Sequence, residues 1–274
     1  MADVDLEALA AGYRHRRVTP DSLERAGAAA DAAGLGPGKV AIDVGGGRGI
    51  EAGVFAGRGA LALVIDRSEA MAAAARLVPG VSAVVGDAGR LPLADRCADL
   101  VHFQLSIHYG DWRRSLGEAV RVCREGGTVW VWTLSREHLR SSFLTEWFPS
   151  VAPIDAARFP DPADLARFMS EAGLVEIVET DARERVERTA GEWREAVEAG
   201  FVSTLQLLPP GELAAGLQRF GSAHPDLDQT IAYDLEYRSV SGSVRIGEAA
   251  AATLGVQIPI PGSEDGDGRD DPQQ

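Results

Sequence analysis

Short apolar runs that carry an acid at or near their end recur through the first half of the chain. Val40-Ala-Ile-Asp-Val44 holds Asp43, Leu61-Ala-Leu-Val-Ile-Asp66 ends in Asp66, and Val81-Ser-Ala-Val-Val-Gly-Asp87 ends in Asp87, so these acids stand 23 and 21 residues apart. A strand, helix and loop of a parallel unit need roughly 20 to 30 residues. Runs this continuous suit strands buried on both faces. The pattern predicts consecutive βα units, then a fourth strand over Ala98–Phe103, a helix over Trp112–Arg124 and a fifth strand over Thr128–Thr133. A helix over Pro162–Ala172 precedes a sixth strand, Leu174–Thr180. A last strand, about Tyr237–Ile246, alternates in character and is expected to run antiparallel at the edge. The predicted class is α/β, a doubly wound, mostly parallel sheet of seven strands.

Residues Asp5–Ala33 read as two helices broken at Thr19-Pro20, where Thr19 can cap and Pro20 can take the first helical position. Residues 1–34 are therefore expected to form an N-terminal helical cap on a domain spanning 35–249. The segment Asp181–Glu236, about 55 residues, is too long for a simple connection. Within it Gly191–Leu208 and Glu212–Phe220 look helical, so residues 181–236 are expected to form a helical lid over the carboxyl edge of the sheet. Phe143, Trp147, Phe148 and Phe159 mark a further wall, each read first as core. Gly262–Gln274 is polar, acidic and Gly-rich, and residues 250–274 are expected to be a flexible tail, with room for a short docked piece at Leu254–Ile260.

The richest chemistry follows the first strand. In Asp43-Val-Gly-Gly-Gly-Arg-Gly49 every second position from Gly45 lacks a side chain, so backbone amides can approach a ligand closely. A helix over Ile50–Ala56 would set its N-terminus against that ligand. Two cofactor classes fit this loop. Gly47-Arg-Gly49-Ile-Glu-Ala52 satisfies the dinucleotide pattern G-x-G-x-x-G/A. The rival is a sulfonium nucleoside. A carboxylate beside the loop repels a pyrophosphate and attracts an ammonium or sulfonium. Three acids on three successive strand ends fit one adenosyl ligand lying across the sheet edge, whereas a dinucleotide explains only Asp66, through its ribose. Each of these acids, taken alone, is also an ordinary solvated strand end.

The loop D-x-G-x-G-x-G, matched from Asp43 to Gly49, resembles that of class I S-adenosylmethionine-dependent methyltransferases. Asp66-Arg-Ser-Glu-Ala-Met71 and Gly86-Asp-Ala88 with Leu91-Pro-Leu93 are similar to segments of the branch that includes the quinone-biosynthesis C-methyltransferases. Arg121-Val-Cys-Arg-Glu-Gly-Gly127 resembles that branch's R-V-L-x-P-G-G, with Glu125 where proline is usual. The resemblance implies a Rossmann-like sheet and S-adenosyl-L-methionine as cofactor. It implies that Asp43, Gly45 and Gly47 face the methionyl end, Asp66 the ribose, and Asp87 with Ala88 the adenine. Tyr13 lies on the helix that closes over the cofactor in relatives, and Gln104, just past the fourth strand, is a further cofactor-side candidate. Arg48 is read as a packing or solvent-facing side chain.

Acceptor-side groups are expected in Phe103-Gln-Leu-Ser-Ile-His-Tyr109, just past the fourth strand. Its spelling also resembles the Q-F-x-x-H-Y of messenger-RNA cap guanine-N7 methyltransferases. His108 is the candidate base or orienting donor and Tyr109 an orienting or stacking partner. His102, inside the strand, is read as structural; His138 and His224 are not favoured. Methyl transfer is an in-line displacement that needs positioning and no metal, and no metal-ligand spacing is visible.

A formal net charge of −14 disfavours nucleic acid as a partner, because phosphate neutralisation carries that binding. No apolar run approaches 18 residues, and the acidic start lacks signal-peptide regions. Cys97 and Cys123, the two cysteines, read as reduced thiols. The expectation is a cytoplasmic methyltransferase, with a homodimer as one option, acting on an N or O atom of a small organic acceptor, for instance a heteroaromatic natural product. A cyclase or isomerase that retains the cofactor is the alternative, and a nicotinamide-dependent oxidoreductase the third reading.

Overall fold

The computed structural model describes residues 4–245. Helix α1 (Leu6–Gly12) runs through a single 3-10 turn, Tyr13–His15, to α2 (Pro20–Ala32). Thr19 caps α2 by accepting from the Ser22 amide, and Ser22 returns the bond, so the break expected at Thr19-Pro20 has a local cause. Then follow β1 (Val40–Val44), α3 (Ile50–Gly57), β2 (Leu61–Asp66), α4 (Glu69–Ala75), β3 (Val81–Val85) and β4 (Ala98–Gln104). Helix α5 (Trp112–Val122) leads into β5 (Cys123–Leu134). That strand begins earlier than expected because the Arg124–Gly127 stretch bulges within the pairing between Ala98–Cys123 and Leu100–Thr128.

Three short helices come next: α6 (Arg136–Ser141), α7 (Phe143–Trp147) and α8 (Val151–Arg158). They are followed by α9 (Pro162–Glu171), β6 (Leu174–Thr189), α10 (Ala190–Glu198), α11 (Glu212–Ala223) and β7 (Thr230–Val244). The strands form one sheet in the order β3-β2-β1-β4-β5-β7-β6, and only β7 runs against its neighbours.

Alternation along the parallel strands builds two cores. Ile42, Val44, Val101, Phe103, Val129 and Val131 meet Leu116, Leu165 and Met169 of α5 and α9 on one face. Ala41, Ala62, Val64 and Leu100 meet Ala26, Ala30, Phe55 and Ala72 of α2, α3 and α4 on the other. The strand order reverses between β1 and β4, which opens a crevice at their carboxyl ends.

Two expectations need correction. The last strand is not at the edge: β7 lies between β5 and β6, leaving β6 as the edge. Its antiparallel course lets it pair with the bare side of β5 through Thr128–Leu134. The segment 181–236 is also not helical throughout. Residues 182–189 continue β6 and pair with 230–237 of β7, so a two-stranded ribbon projects past the end of β5. Helices α10 and α11 cap that ribbon. The ribbon holds because its inward positions alternate: Glu184, Val186 and Arg188 are buried while Arg183, Arg185 and Glu187 are exposed. A third core of Trp147, Phe148, Trp193, Phe201 and Phe220 fastens the helices to it. The acidic tail expected over 250–274, and Ile246, fall outside the described residues.

Candidate functional site

Three glycines of the β1–α3 loop take positive φ: Gly45 (66°), Gly47 (53°) and Gly49 (75°). Gly49 is also the N-cap of α3. The Gly45 amide donates to the Ile65 carbonyl at 2.6 Å, and the Gly47 amide to Asp66 Oδ2 at 3.0 Å. Asp66 Oδ1 accepts from the Ser68 amide at 2.9 Å, while Ser68 Oγ caps α4. Burial raises the Asp66 pKa, opposed by those two amide bonds. Asp87, exposed, accepts from the Gly89 amide at 2.6 Å and faces Arg67 at 3.8 Å.

Two cavities flank this loop. The larger, about 310 Å3, is lined by Asp66, Met71, Asp87, Ala88 and Ile107 among others. The smaller, about 230 Å3, takes Glu51, Gln104, His108, Phe159 and the inner face of the ribbon. Tyr13, Gly45, Gly47 and Tyr109 border both. A β-carbon on Gly47 would meet nothing nearer than 3.9 Å, from Met71 Sδ and Tyr13 Cε1, so it would project into the mouth shared by the two cavities. The loop is therefore bare where a nucleoside with a charged methionyl chain would cross it. The residues present fit S-adenosylmethionine.

Asp43 departs from expectation. It lines neither cavity and is fully buried, its Oδ1 3.0 Å from His102 Nδ1. Alternation explains this: with Ile42 and Val44 facing the α5 side, Asp43 is turned to the α3 side, in register with His102 of β4. Gly46 sits directly over the carboxylate, and Asp43 Oδ2 has no protein partner. Asp43 thus supports the loop from beneath, and the structural reading of His102 stands. Glu51, on α3 beside the loop, does border the smaller cavity, and its carboxyl is pushed up by burial first and then by Asp43. No pattern in the sequence singles it out.

Beyond β4, Leu105 takes a left-handed φ of 50°, and Ser106 Oγ donates to the Val44 carbonyl at 2.6 Å. That turn brings a 3-10 segment, Ile107–Tyr109, against the loop. The His108 ring stacks on Phe159 at 3.8 Å and lies 4.2 Å from the Tyr109 ring, with Nδ1 buried and unpartnered. Burial, with Arg158 and Arg16 nearby, holds its pKa well below the ordinary 6.5. The imidazole is therefore neutral at pH 7. Burial raises the Tyr109 phenol, which hydrogen-bonds Tyr13 and Ser203.

Of the expected wall aromatics, Phe143 and Phe159 line the smaller cavity, whereas Trp147 and Phe148 belong to the third core. Arg48 also lines it, reaching only the Arg16 carbonyl at 3.5 Å. His138 was not favoured yet lines the same cavity, its pKa lowered to about 4 by burial. His224 packs on Trp147 and Phe220, away from both cavities. Arg25, Glu184 and Arg188 also went unread. The period-two burial of 184, 186 and 188 was the available signal, masked by charged residues at both inward and outward positions. Among the described residues no group of three His, Cys, Asp or Glu side chains is placed to hold a metal. No described helix is long and apolar enough to cross a membrane.

Residues 42–131 match the family model described as a methyltransferase domain. The chain is 30% identical over 166 residues to demethylmenaquinone methyltransferase of Mycobacterium sp. (strain JLS), covering 53% of this chain and 72% of that one. Among solved structures, the YcgJ protein of Bacillus subtilis superposes with a TM-score of 0.56 at 18% identity, over 82% of this chain and 99% of the other. Phosphoethanolamine N-methyltransferase 2 of Haemonchus contortus, solved with S-adenosyl-L-methionine, gives a TM-score of 0.55 at 17% identity, over 88% and 57%. Loop, sheet order and sequence likeness converge: the chain belongs to the class I S-adenosylmethionine-dependent methyltransferases, and S-adenosylmethionine is its cofactor.

Proposed function

We propose that the enzyme methylates an O or N atom of a small aromatic or heteroaromatic acceptor, such as a natural-product ring, seated in the smaller cavity. Tyr13, Gly45, Gly47, Asp66, Asp87 and Ala88 would hold the cofactor, with Asp66 on the ribose diol and Glu51 beside the methionyl ammonium. When bound, S-adenosylmethionine supplies an electrophilic methyl on its sulfonium. The chain's own contribution is position, dryness and a place for one proton.

His108 carries this reading. A neutral imidazole has one accepting nitrogen, and Nδ1, buried without a protein partner, takes that role for an O–H or N–H in the Nε2–H tautomer. A hydroxyl gaining a methyl becomes strongly acidic, so even a weak base suffices to take its proton. Phe159 and Tyr109 fix the plane of that ring and offer flat surfaces to an aromatic acceptor. Tyr109 stays protonated and orients by donation.

Methyl-labelled cofactor, incubated with a panel of phenolic, heteroaromatic and amine acceptors, tests the proposal. Labelled methyl on O or N, matched mole for mole by S-adenosylhomocysteine, supports it. Turnover without S-adenosylhomocysteine would select a cyclase or isomerase. A second reading, methylation at carbon, is favoured by the demethylmenaquinone methyltransferase relative. The product's methylated position separates the two.

A further inference from the structure

The inner face of the ribbon carries two buried arginine contacts, and only one is balanced. Arg25, 7% exposed, meets Glu184 on β6 at 2.7 Å, and Thr19 Oγ1 adds a bond to the same carboxylate at 2.6 Å. Arg188, two inward positions further along β6, is 6% exposed and lines the smaller cavity. Among the described residues it meets no carboxylate and donates no hydrogen bond. Its neighbours are the faces of Phe201 and Tyr233, at 5.5 and 5.9 Å, and its Nε is buried without a partner. A guanidinium taken out of water needs a counter-charge, because ring faces return only part of the lost hydration. The wall that lacks this counter-charge faces a ligand cavity.

We propose that Arg188 receives an anionic group of the acceptor, so that the substrate is an aromatic carboxylate. This rests on the smaller cavity being the acceptor site. The cavity's charge supports it: five arginines and three acids line it, in a protein whose formal net charge is −14. Two of those arginines meet carboxylates, Arg17 with Glu192 and Arg25 with Glu184, and Arg48 lies in the glycine loop with its guanidinium 3.5 Å from the Arg16 carbonyl. Arg16 packs over Tyr13 at 4.9 Å, beside the glycine loop, which leaves Arg188 alone at the lid end. One planar fork matches a carboxylate, two parallel bonds to two oxygens. Phe143, stacked on Tyr233 at 4.9 Å, supplies an aromatic wall next to that fork.

The test replaces Arg188 by Met, which keeps the length of the stem and removes the charge. In the unliganded protein Tm is expected to rise by roughly 2 °C or more, since an uncompensated buried cation has gone. A fall in Tm would mean Arg188 is already satisfied, and would overturn the proposal. Calorimetric titration, with S-adenosylhomocysteine saturating, then compares 4-hydroxybenzoate with its neutral amide, 4-hydroxybenzamide. The wild type is expected to bind the acid roughly tenfold or more tightly than the amide, the loss typical of a charged hydrogen-bonded pair. Arg188→Met is expected to erase that preference while S-adenosylhomocysteine affinity stays within about twofold. Equal binding of acid and amide by the wild type would overturn the proposal. So would a large loss of S-adenosylhomocysteine affinity in the variant, which would assign Arg188 to the cofactor's own carboxylate. Failure of S-adenosylhomocysteine to bind the wild type would instead strike the cofactor assignment.

Discussion

Asp66 already accepts the Gly47 and Ser68 amides, so it both shapes the loop and faces the larger cavity. Asp66→Ala is expected to weaken S-adenosylmethionine binding by roughly a hundredfold, since charge-assisted bonds to a ribose and to the loop go together. Unchanged affinity by calorimetry would refute the ribose assignment. With His108 as the proposed base, activity should show an acid limb set by its imidazole. Its neutral form is the competent one and burial lowers its pKa, so kcat should be flat from neutral pH down past 6.5 and fall only below it. His108→Ala should lower kcat by about a hundredfold or more, and a limb centred above 6.5 in the wild type would contradict the assignment. His138 bears on stability. Its folded pKa of about 4 lies below the ordinary 6.5, so between those values the unfolded chain binds more protons. Stability is therefore lost as pH falls through that window, by an amount on the order of 3 kcal/mol for this residue. Asp66 and Glu51, with raised values, push the other way. The decisive comparison is the slope of Tm against pH: His138→Gln should flatten it between pH 4 and 6.5, and parallel curves would sink the claim.

At the scale of elements, the ribbon and its helices wall the smaller cavity. Glu184→Ala strands Arg25 as a second unbalanced cation, and breaking such a buried pair costs about 3–5 kcal/mol. Urea unfolding measures this; a loss below about 1 kcal/mol would show the pair to be solvent-screened. Gly216 of α11 lies against the Phe148 ring with no room for a β-carbon. Gly216→Ala should therefore loosen α11 from the third core, read as faster proteolysis within 209–229 while the sheet stays protected. Equal cleavage rates would count against it. These elements were the least legible in the sequence. In Thr180-Asp-Ala-Arg-Glu-Arg-Val-Glu-Arg-Thr189 charges stand at inward positions (Glu184, Arg188) as well as outward ones, so the usual apolar alternation that marks a half-buried strand is hidden. By contrast β1, β2 and β4 were readable to within a residue or two, because both of their faces are largely buried and their sequences are mostly apolar.

For the molecule as a whole, ligand binding and folding are one equilibrium. S-adenosylhomocysteine seated as proposed should raise Tm progressively with concentration, by about 2.7 kcal/mol of stabilisation at a hundredfold excess over Kd. Asp66→Ala should abolish most of that rise, and an equal shift in both proteins would show that the ligand binds elsewhere. The sequence by itself determined the order of βα units, the glycine loop and the cofactor, because these rest on local spacing and on residues a few positions apart. It also marked His108 and Tyr109 for the acceptor side. Only the tertiary structure decided that Asp43 faces His102 rather than a ligand, since strand alternation and the covering loop set its direction. It alone placed β7 inside the sheet and joined Arg188, Glu51 and His138 into one cavity. Charges far apart along the chain become a site when the fold removes water between them, and no local pattern encodes that.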